Sequence, residues 1–582
     1  MKKKNIILIS VFIGAGILFS SCSDYLDSDK YFEDRITINK VFTSKQRSQQ
    51  WLAYAFSFLK NENADVVGKE KETNSFTFAD DMYYGDRDVN YDSKEWNELS
   101  YNTFMQGQYN EDNFNQAWTM CYKGIYQASV FINNIDMNTE MTDKERLDYK
   151  GQARFVRAYY YWLLLRRYGP VPIVPNEGID YTQSYEQIAI PRNSYEEVVD
   201  YISNEMIQAA KEIQYTKRDG ENCARPTKGA CLATRALALI YSASPLANGN
   251  NDTYAKSLVD DKGKELLNST YKEEKWAKAA AACKDVMELG VYDLYHASFN
   301  TTEAVGDPKT IVPADSTCIF AQNTWPKGWK NIDPFKSYRV LFSGDIAPED
   351  NTELIFSRID QNATEINHSM KSFARHSMPR DFGGWNTHGL TQKMVDAYYM
   401  NDGSDCPGKD RELNGGNGTE RLTGFTTLQD YRQGKYKPLS ANVSLQYANR
   451  EPRFYASVGY NGSVWEYLGD PEPTHHNRQT FYYRGSGNGY NNSQFYLRTG
   501  ISVKKYVNQT DVTDREDYRN IKDKAEPAIR YADILLLYAE ALNELEGTYS
   551  IASWDKNTTY TIQRNIEEIQ KGIHPIRIRG GV

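Results

Sequence analysis

Histidine and cysteine are scarce, with seven of each among 582 residues. No two cysteines form a CxxC pair, and no Cys/His cluster has the spacing of a zinc site. The chain also lacks GxSxG, HExxH, a P-loop and a GxGxxG following a strand. The usual serine-hydrolase, metalloprotease and nucleotide-binding signatures therefore have no carrier. Paired carboxylates, as a glycosidase needs, say nothing in a chain with 77 acids, so glycoside hydrolysis stays only as a remote alternative. Long apolar runs are missing beyond the N-terminus and mean hydropathy is −0.69, which excludes a protein with many membrane-spanning helices. A basic surplus is missing too. There are 68 Lys+Arg against 77 Asp+Glu, for a net charge of −9. The first 21 residues hold three lysines and no acid, so the remainder is more acidic still. Neutralising phosphates needs the opposite balance, which argues against a nucleic-acid partner.

What the chain has is aromatic rings: 44 Tyr and 10 Trp. With 40% hydrophobic and 13% aromatic residues, wholesale disorder is excluded. Length alone allows three or four domains.

Lys2, Lys3 and Lys4 precede an apolar stretch from Ile6 to Phe19, followed by Ser20-Ser21-Cys22. This reads as a secretory signal over residues 1–21, too short to span a bilayer comfortably. A cysteine directly after two small residues is a lipobox pattern, with Phe19 where Leu is commoner. Acylation of Cys22 would supply enough buried chain for stable membrane anchoring, with residues 22–43 as a tether. Of the other cysteines (Cys121, Cys223, Cys231, Cys283, Cys318 and Cys406), the sequence predicts that most are free and buried.

Apolar periodicity predicts helices over about Ser44–Leu59, Phe114–Ile135, Glu145–Tyr168, Lys228–Ala243, Trp276–Leu289, Thr391–Tyr399 and Ile529–Leu545. Ser194 with Glu197 three residues on is a capping box for another helix. Gly169-Pro170 stops the third, with Arg166 and Arg167 in its last turn. Neighbouring helices pair at roughly TPR-like length, and such pairs bury their faces by stacking. Residues 296–385 and 403–525 are dense in Gly, Asn, Tyr and Asp, with short β-like runs such as Phe454-Tyr455-Ala456-Ser457-Val458. They read as loop-rich insertions, the kind of segment where binding tends to reside. The fold class is mainly α: TPR-like helix pairs forming a scaffold, with long irregular insertions and a few short strands.

Several segments resemble the SusD/RagB-like nutrient-uptake lipoproteins of Bacteroidetes. They include Ser21-Cys22 followed by Asp24-Tyr25-Leu26-Asp27, AWTMCYKGIYQASVFINNID, GQARFVRAYYYWLLLRRYGPVPIV (Gly151 to Val174), PTKGACLATRALALIYSASPLANG, NTELIFS, LTQKMVDAYYMNDG, NREPRFYASV and IRYADILLLYAEALNE. They occur in family order over nearly the whole chain. The resemblance implies one domain over 22–582, four TPR-like helix pairs and an outward-facing outer-membrane lipoprotein. It also implies a SusC-like TonB-dependent transporter as partner, to which captured oligosaccharide is delivered. A peptide ligand, or a purely structural lid, is the alternative. IRIRGGV (Ile576 to Val582) resembles a segment after which family members usually continue, so the C-terminal end is expected to be truncated.

Sugar recognition needs flat apolar faces with polar groups at the rim. The loop candidates are Tyr83, Tyr84, Trp96, Trp325, Trp329 and Trp385, with Asp81, Arg87 and Asn323 as rim groups. Trp118, Trp162 and Trp276 lie on helix core faces and read as packing. No cofactor is expected. Asp86-x-Asp88-x-Asn90 begins like a calcium loop, but Tyr91 stands where Gly is needed and Asn97 where Glu is needed. His475-His476 reads as surface.

Overall fold

The computed structural model describes residues 37–59, 79–85, 107, 116–179, 182–220, 225–299, 314–358, 370–411, 415–490, 495–513 and 520–582. The signal segment, Cys22, most of the tether, Arg87, Trp96, Cys223 and the Asp86–Asn90 run lie outside them.

The scaffold is built from helices α1 (Ile38–Phe42), α2 (Lys45–Ser57), α3 (Gln116–Asn134), α4 (Asp143–Tyr168), α5 (Tyr195–Glu212), α6 (Lys228–Ala243) and α7 (Glu274–Met287). Sequence explains the ends. Thr142 and Glu145 form a reciprocal cap at the start of α4, and Ser194 and Glu197 do the same for α5. Gly169, at φ 68°, closes α4 ahead of Pro170. The consecutive residues Tyr159, Tyr160, Tyr161 and Trp162 are all buried. A helix buried on every side is a central one, and α4 packs against both α3 and α5. Tyr160 donates to the Ala55 carbonyl at 2.6 Å, so α4 is also tied to α2. The ring of Tyr160 fits only because residue 124 has no side chain: a Cβ there would lie 2.3 Å from it.

After α7 the chain leaves the scaffold and returns in α11 (Tyr531–Asn543) and α12 (Ile566–Gly580). Contacts run α2–α3–α4–α5–α6–α7–α11–α12, each helix against the next. The described residues thus hold four stacked pairs, α2/α3, α4/α5, α6/α7 and α11/α12. The expected fold class holds, and most helix ends fall within a few residues of expectation. Residues 526–530, partly assigned above to the last expected helix, instead form a strand.

The excursion contains α8 (Pro334–Ser343), α9 (Met370–Ser377), α10 (Pro452–Ser457) and strands β2 (Leu354–Arg358), β3 (His388–Leu390), β4 (Val458–Gly459), β5 (Ser502–Val503) and β6 (Glu526–Arg530), and it is joined by β1 (Met82–Tyr84) from the segment between α2 and α3. A four-stranded antiparallel sheet runs β1-β3-β5-β4, and β2 pairs with β6. These segments enclose a second core, with Phe335, Phe342, Phe373, Val395, Tyr447, Phe454, Tyr460 and Tyr506 at its centre. Loop-rich is therefore an incomplete description, because the excursion is a packed layer of short elements. The β-like run at Phe454–Val458 is a correction: residues 452–457 are helical, and the strand starts at Val458. Pro452 in the first turn presets helical φ. Packing then overrides β propensity: Phe454 lies under the Arg450 guanidinium at 4.5 Å, and the Tyr455 hydroxyl donates to the Tyr447 carbonyl at 2.7 Å.

Cys121, Cys231, Cys283 and Cys406 are buried free thiols, and Cys318 is half-buried and free. Burial pushes the thiols of Cys231 and Cys283 up, the latter to about 12, so both act as small hydrophobes. No described helix is long and apolar enough to cross a membrane.

Candidate functional site

A cleft of about 470 Å³ opens on the second layer. Its walls come from residues 425, 444, 446, 447, 461, 482–484, 490 and 496–500. The rings of Phe425, Tyr483, Tyr490 and Tyr496 line it. Phe425 is 65% exposed and Tyr483 58% exposed. Tyr490 and Tyr496 meet edge to face at 5.0 Å, and Arg484 lies over Tyr490 at 5.3 Å. Ser444, Gln446, Asn461 and Thr499 add polar groups to the walls. Flat faces with hydrogen-bonding rims suit a ligand that is apolar on one side and hydroxylated at its edge.

The loop carrying Tyr483 and Arg484 is held at its base. The Ser486 amide donates to the Tyr483 carbonyl at 3.0 Å, and its hydroxyl to the Phe481 carbonyl at 2.7 Å. The Arg380 guanidinium donates to the carbonyls of Gly487 (2.7 Å), Gly489 (2.8 Å) and Phe495. Asn386 donates to the Asn488 carbonyl at 2.9 Å, and Asn488 to Asp381 at 2.8 Å. At Gly489 a Cβ would fall 1.8 Å from the Tyr483 carbonyl oxygen, so only glycine permits this fold of the loop. The rings thus stand on a preset frame, which lowers the ordering cost of binding.

Of the residues expected to form a sugar surface, Tyr83 adjoins this cleft. Its hydroxyl accepts from the Thr499 amide at 3.0 Å and lies 3.0 Å from the Thr499 hydroxyl. Tyr84, next along β1, points the other way: it is 2% exposed, with its hydroxyl 3.2 Å from His376 Nδ1. It packs rather than presents a face. Asp81 is half-buried, its carboxylate accepting from the Met82 amide at 3.1 Å, and burial raises its pKa. Trp385 is half-buried between Arg375 at 4.8 Å and His376 at 4.3 Å.

Trp325 and Trp329 belong elsewhere. Trp329 is 5% exposed and packs with Ile332 and with Ile578 of α12. Trp325 is half-buried against Ile576 of α12, Leu294 and the His296 ring at 5.1 Å. The pair clasps the last helix, so Trp329 has no face to offer a ligand. Asn323 is exposed beside them, its amide donating to the Ile319 carbonyl at 3.4 Å. Trp162 and Trp276 are buried and Trp118 is half-buried in the scaffold core. His475 is exposed, 3.2 Å from Asp470.

Of the residues missed above, Tyr483, Tyr490 and Tyr496 had a compositional signal in FYYRGSGNGY and QFYLRTG, where aromatics alternate with Gly, Asn and Arg, whereas Phe425 stands alone in RLTGFTTLQD and had none. Among the described residues no group of three or more His, Cys, Asp or Glu is placed to hold a metal ion.

A stack of helix pairs carrying an irregular layer is a fold that this chain shares with solved SusD-like structures. Sequence models agree at both ends: "SusD family" matches residues 352–582, and "Starch-binding associating with outer membrane" matches residues 24–241. The chain belongs to the SusD/RagB family. It is 24% identical over 290 residues to a SusD-like protein of Bacteroides ovatus, covering 46% of each chain. It is 24% identical over 174 residues to SusD-like protein P25 of Formosa agariphila, covering 30% of this chain and 31% of that one. The chain thus spans less than half the length of either of these relatives. The fold matches a solved SusD-like carbohydrate binding protein from Bacteroides fragilis with a TM-score of 0.55, at 17% identity, over 93% of this chain and 84% of that one.

Proposed function

We propose that this protein is a non-catalytic, surface-exposed glycan-binding lipoprotein of the outer membrane. It captures oligosaccharide on the Phe425–Tyr483–Tyr490–Tyr496 cleft and passes it to a SusC-like TonB-dependent transporter. The observation that carries this reading is a solvent-open cleft whose rings stand on a braced loop. Family membership, a matching model described as starch-binding and outer-membrane-associated, and a carbohydrate-binding structural neighbour support it. Cys22 carries the lipid, and no cofactor takes part.

Calorimetry of the isolated protein against a glycan panel tests binding. At least one oligosaccharide is expected to bind and to be recovered intact. Products from a bound glycan would overturn the non-catalytic assignment. Binding of peptides and of no glycan would replace the ligand class, and binding of neither would leave a structural lid. Cys22→Ala is expected to release the protein from the membrane fraction, and unchanged membrane association would refute lipidation there.

A further inference from the structure

The cleft walls carry a charge pattern that the aromatic reading does not use. Arg484 and Arg498 both line the cleft, and none of its described lining residues is Asp or Glu. This occurs on a chain in which acids outnumber bases, 77 to 68. Both arginines are exposed. Arg484 has no carboxylate at ion-pair distance among the described residues, and its guanidinium lies over the Tyr490 ring at 5.3 Å. A guanidinium stacked on a ring keeps its N–H edges parallel to the ring and directed outward. Those edges match the paired oxygens of a carboxylate or sulfate. A neutral sugar needs acceptors as well as donors for its hydroxyls, and acids are common acceptors. Cleft walls whose described residues include two arginines and no acid suit a ligand bearing negative charge.

We propose that the oligosaccharide bound here is anionic, with carboxylate or sulfate groups on the sugar rings held by Arg484 and Arg498 while Tyr483 and Tyr490 carry the ring faces. This rests on the glycan-binding reading above and names the class of glycan. An acidic peptide offers carboxylates but no rigid ring for the tyrosine faces, so the cleft favours the sugar.

The test is calorimetry of the full protein with four probes: an oligogalacturonate and its carboxyl-reduced neutral counterpart, and a sulfated galactan oligosaccharide and its desulfated counterpart. At least one charged probe is expected to bind about tenfold tighter than its neutral partner, the scale of one charge-assisted hydrogen bond. The carboxylate and sulfate arms tell the two sources of charge apart. The advantage is expected to shrink as salt is raised. It is also expected to close in an Arg484→Gln/Arg498→Gln variant and to survive in part in Arg484→Lys. Circular dichroism checks the fold, and both side chains are exposed. Equal or tighter binding of the neutral probes overturns this proposal and leaves glycan binding standing. A charge advantage that persists in the double glutamine variant also overturns it. Binding of a poly-glutamate peptide with no saccharide bound overturns both readings, and no binding of any probe overturns this proposal while the wider glycan panel decides the reading it rests on.

Discussion

The scaffold and the layer inserted into it solve one problem in two ways. Every buried backbone carbonyl needs a donor. In the scaffold the helices satisfy their own, and the interior is filled by alanine, aliphatic and tyrosine side chains. In the inserted layer the backbone is irregular, and cationic side chains do much of that work. Arg450 donates to the carbonyls of Val395 and Tyr398, Arg380 to three carbonyls under the cleft loop, Lys504 to Val464 and Lys524 to Lys522. Buried cations then need buried anions. Glu466 accepts from Arg339 at 2.7 Å and from Lys504 at 3.1 Å, and Asp511 from Lys524 at 2.8 Å. Glu353 accepts from Arg530 and Arg579, each at 2.7 Å, tying β6 and α12 to the segment before β2. Burial pushes the Glu353 carboxyl up, but Arg579 and Arg530 outweigh it and hold it below its ordinary value. An irregular layer held this way can carry a cleft of shape that helices alone do not provide.

The contrast can be broken from either side. The largest effect is expected in the layer. Glu466→Ala leaves Arg339 and Lys504 buried without their shared anion and should destabilise by about 3–5 kcal/mol. Urea unfolding measures it, and a loss under about 1 kcal/mol would mean that these charges are hydrated. In the scaffold the sensitive quantity is volume. Gly124→Ala would ordinarily stabilise a helix interior, but here the methyl meets the Tyr160 ring, so a loss of about 1–3 kcal/mol is expected. A gain would contradict the close approach of α3 and α4.

Acid should act on the layer first. Burial holds the His388 pKa down at about 3, and burial with His388 and Arg375 nearby holds His376 well below its ordinary value. The unfolded chain protonates both near pH 6.5. Between there and about pH 3 the unfolded state binds more protons, so stability falls as pH falls. The expected slope is on the order of 1 kcal/mol per pH unit for each histidine. His388→Gln should flatten the curve between about pH 6.5 and pH 5. An unchanged slope would contradict a buried neutral imidazole.

The two regions were also unequally legible. Helix propensity, caps and a 3.6-residue period are local, so α5 and α6 could be placed from residues such as Ser194, Glu197 and Lys228–Ala243 alone. The layer joins segments far apart in the chain, as in β1 against β3 and Tyr83 against Thr499. The type of a ring does not tell its role: Tyr482 is 4% exposed and its neighbour Tyr483 58%. Trp325 and Trp329 looked like a platform because they sit four apart in a polar loop, yet what they cover is α12, more than 200 residues away. Two cleft rings, Tyr483 and Tyr490, stand in FYYRGSGNGY, where glycine content marks a braced loop and tyrosine content is shared with packing.

The central claim is that ligand meets the cleft of the inserted layer and not the tryptophan clasp on the scaffold's last helix. The direct measurement is the affinity of one bound glycan for wild type, Phe425→Ala/Tyr483→Ala and Trp325→Ala, each checked for fold. The account predicts a loss of about tenfold or more in the cleft variant and a change within about twofold for Trp325→Ala. Undiminished affinity in the cleft variant, with a large loss at Trp325, would contradict it.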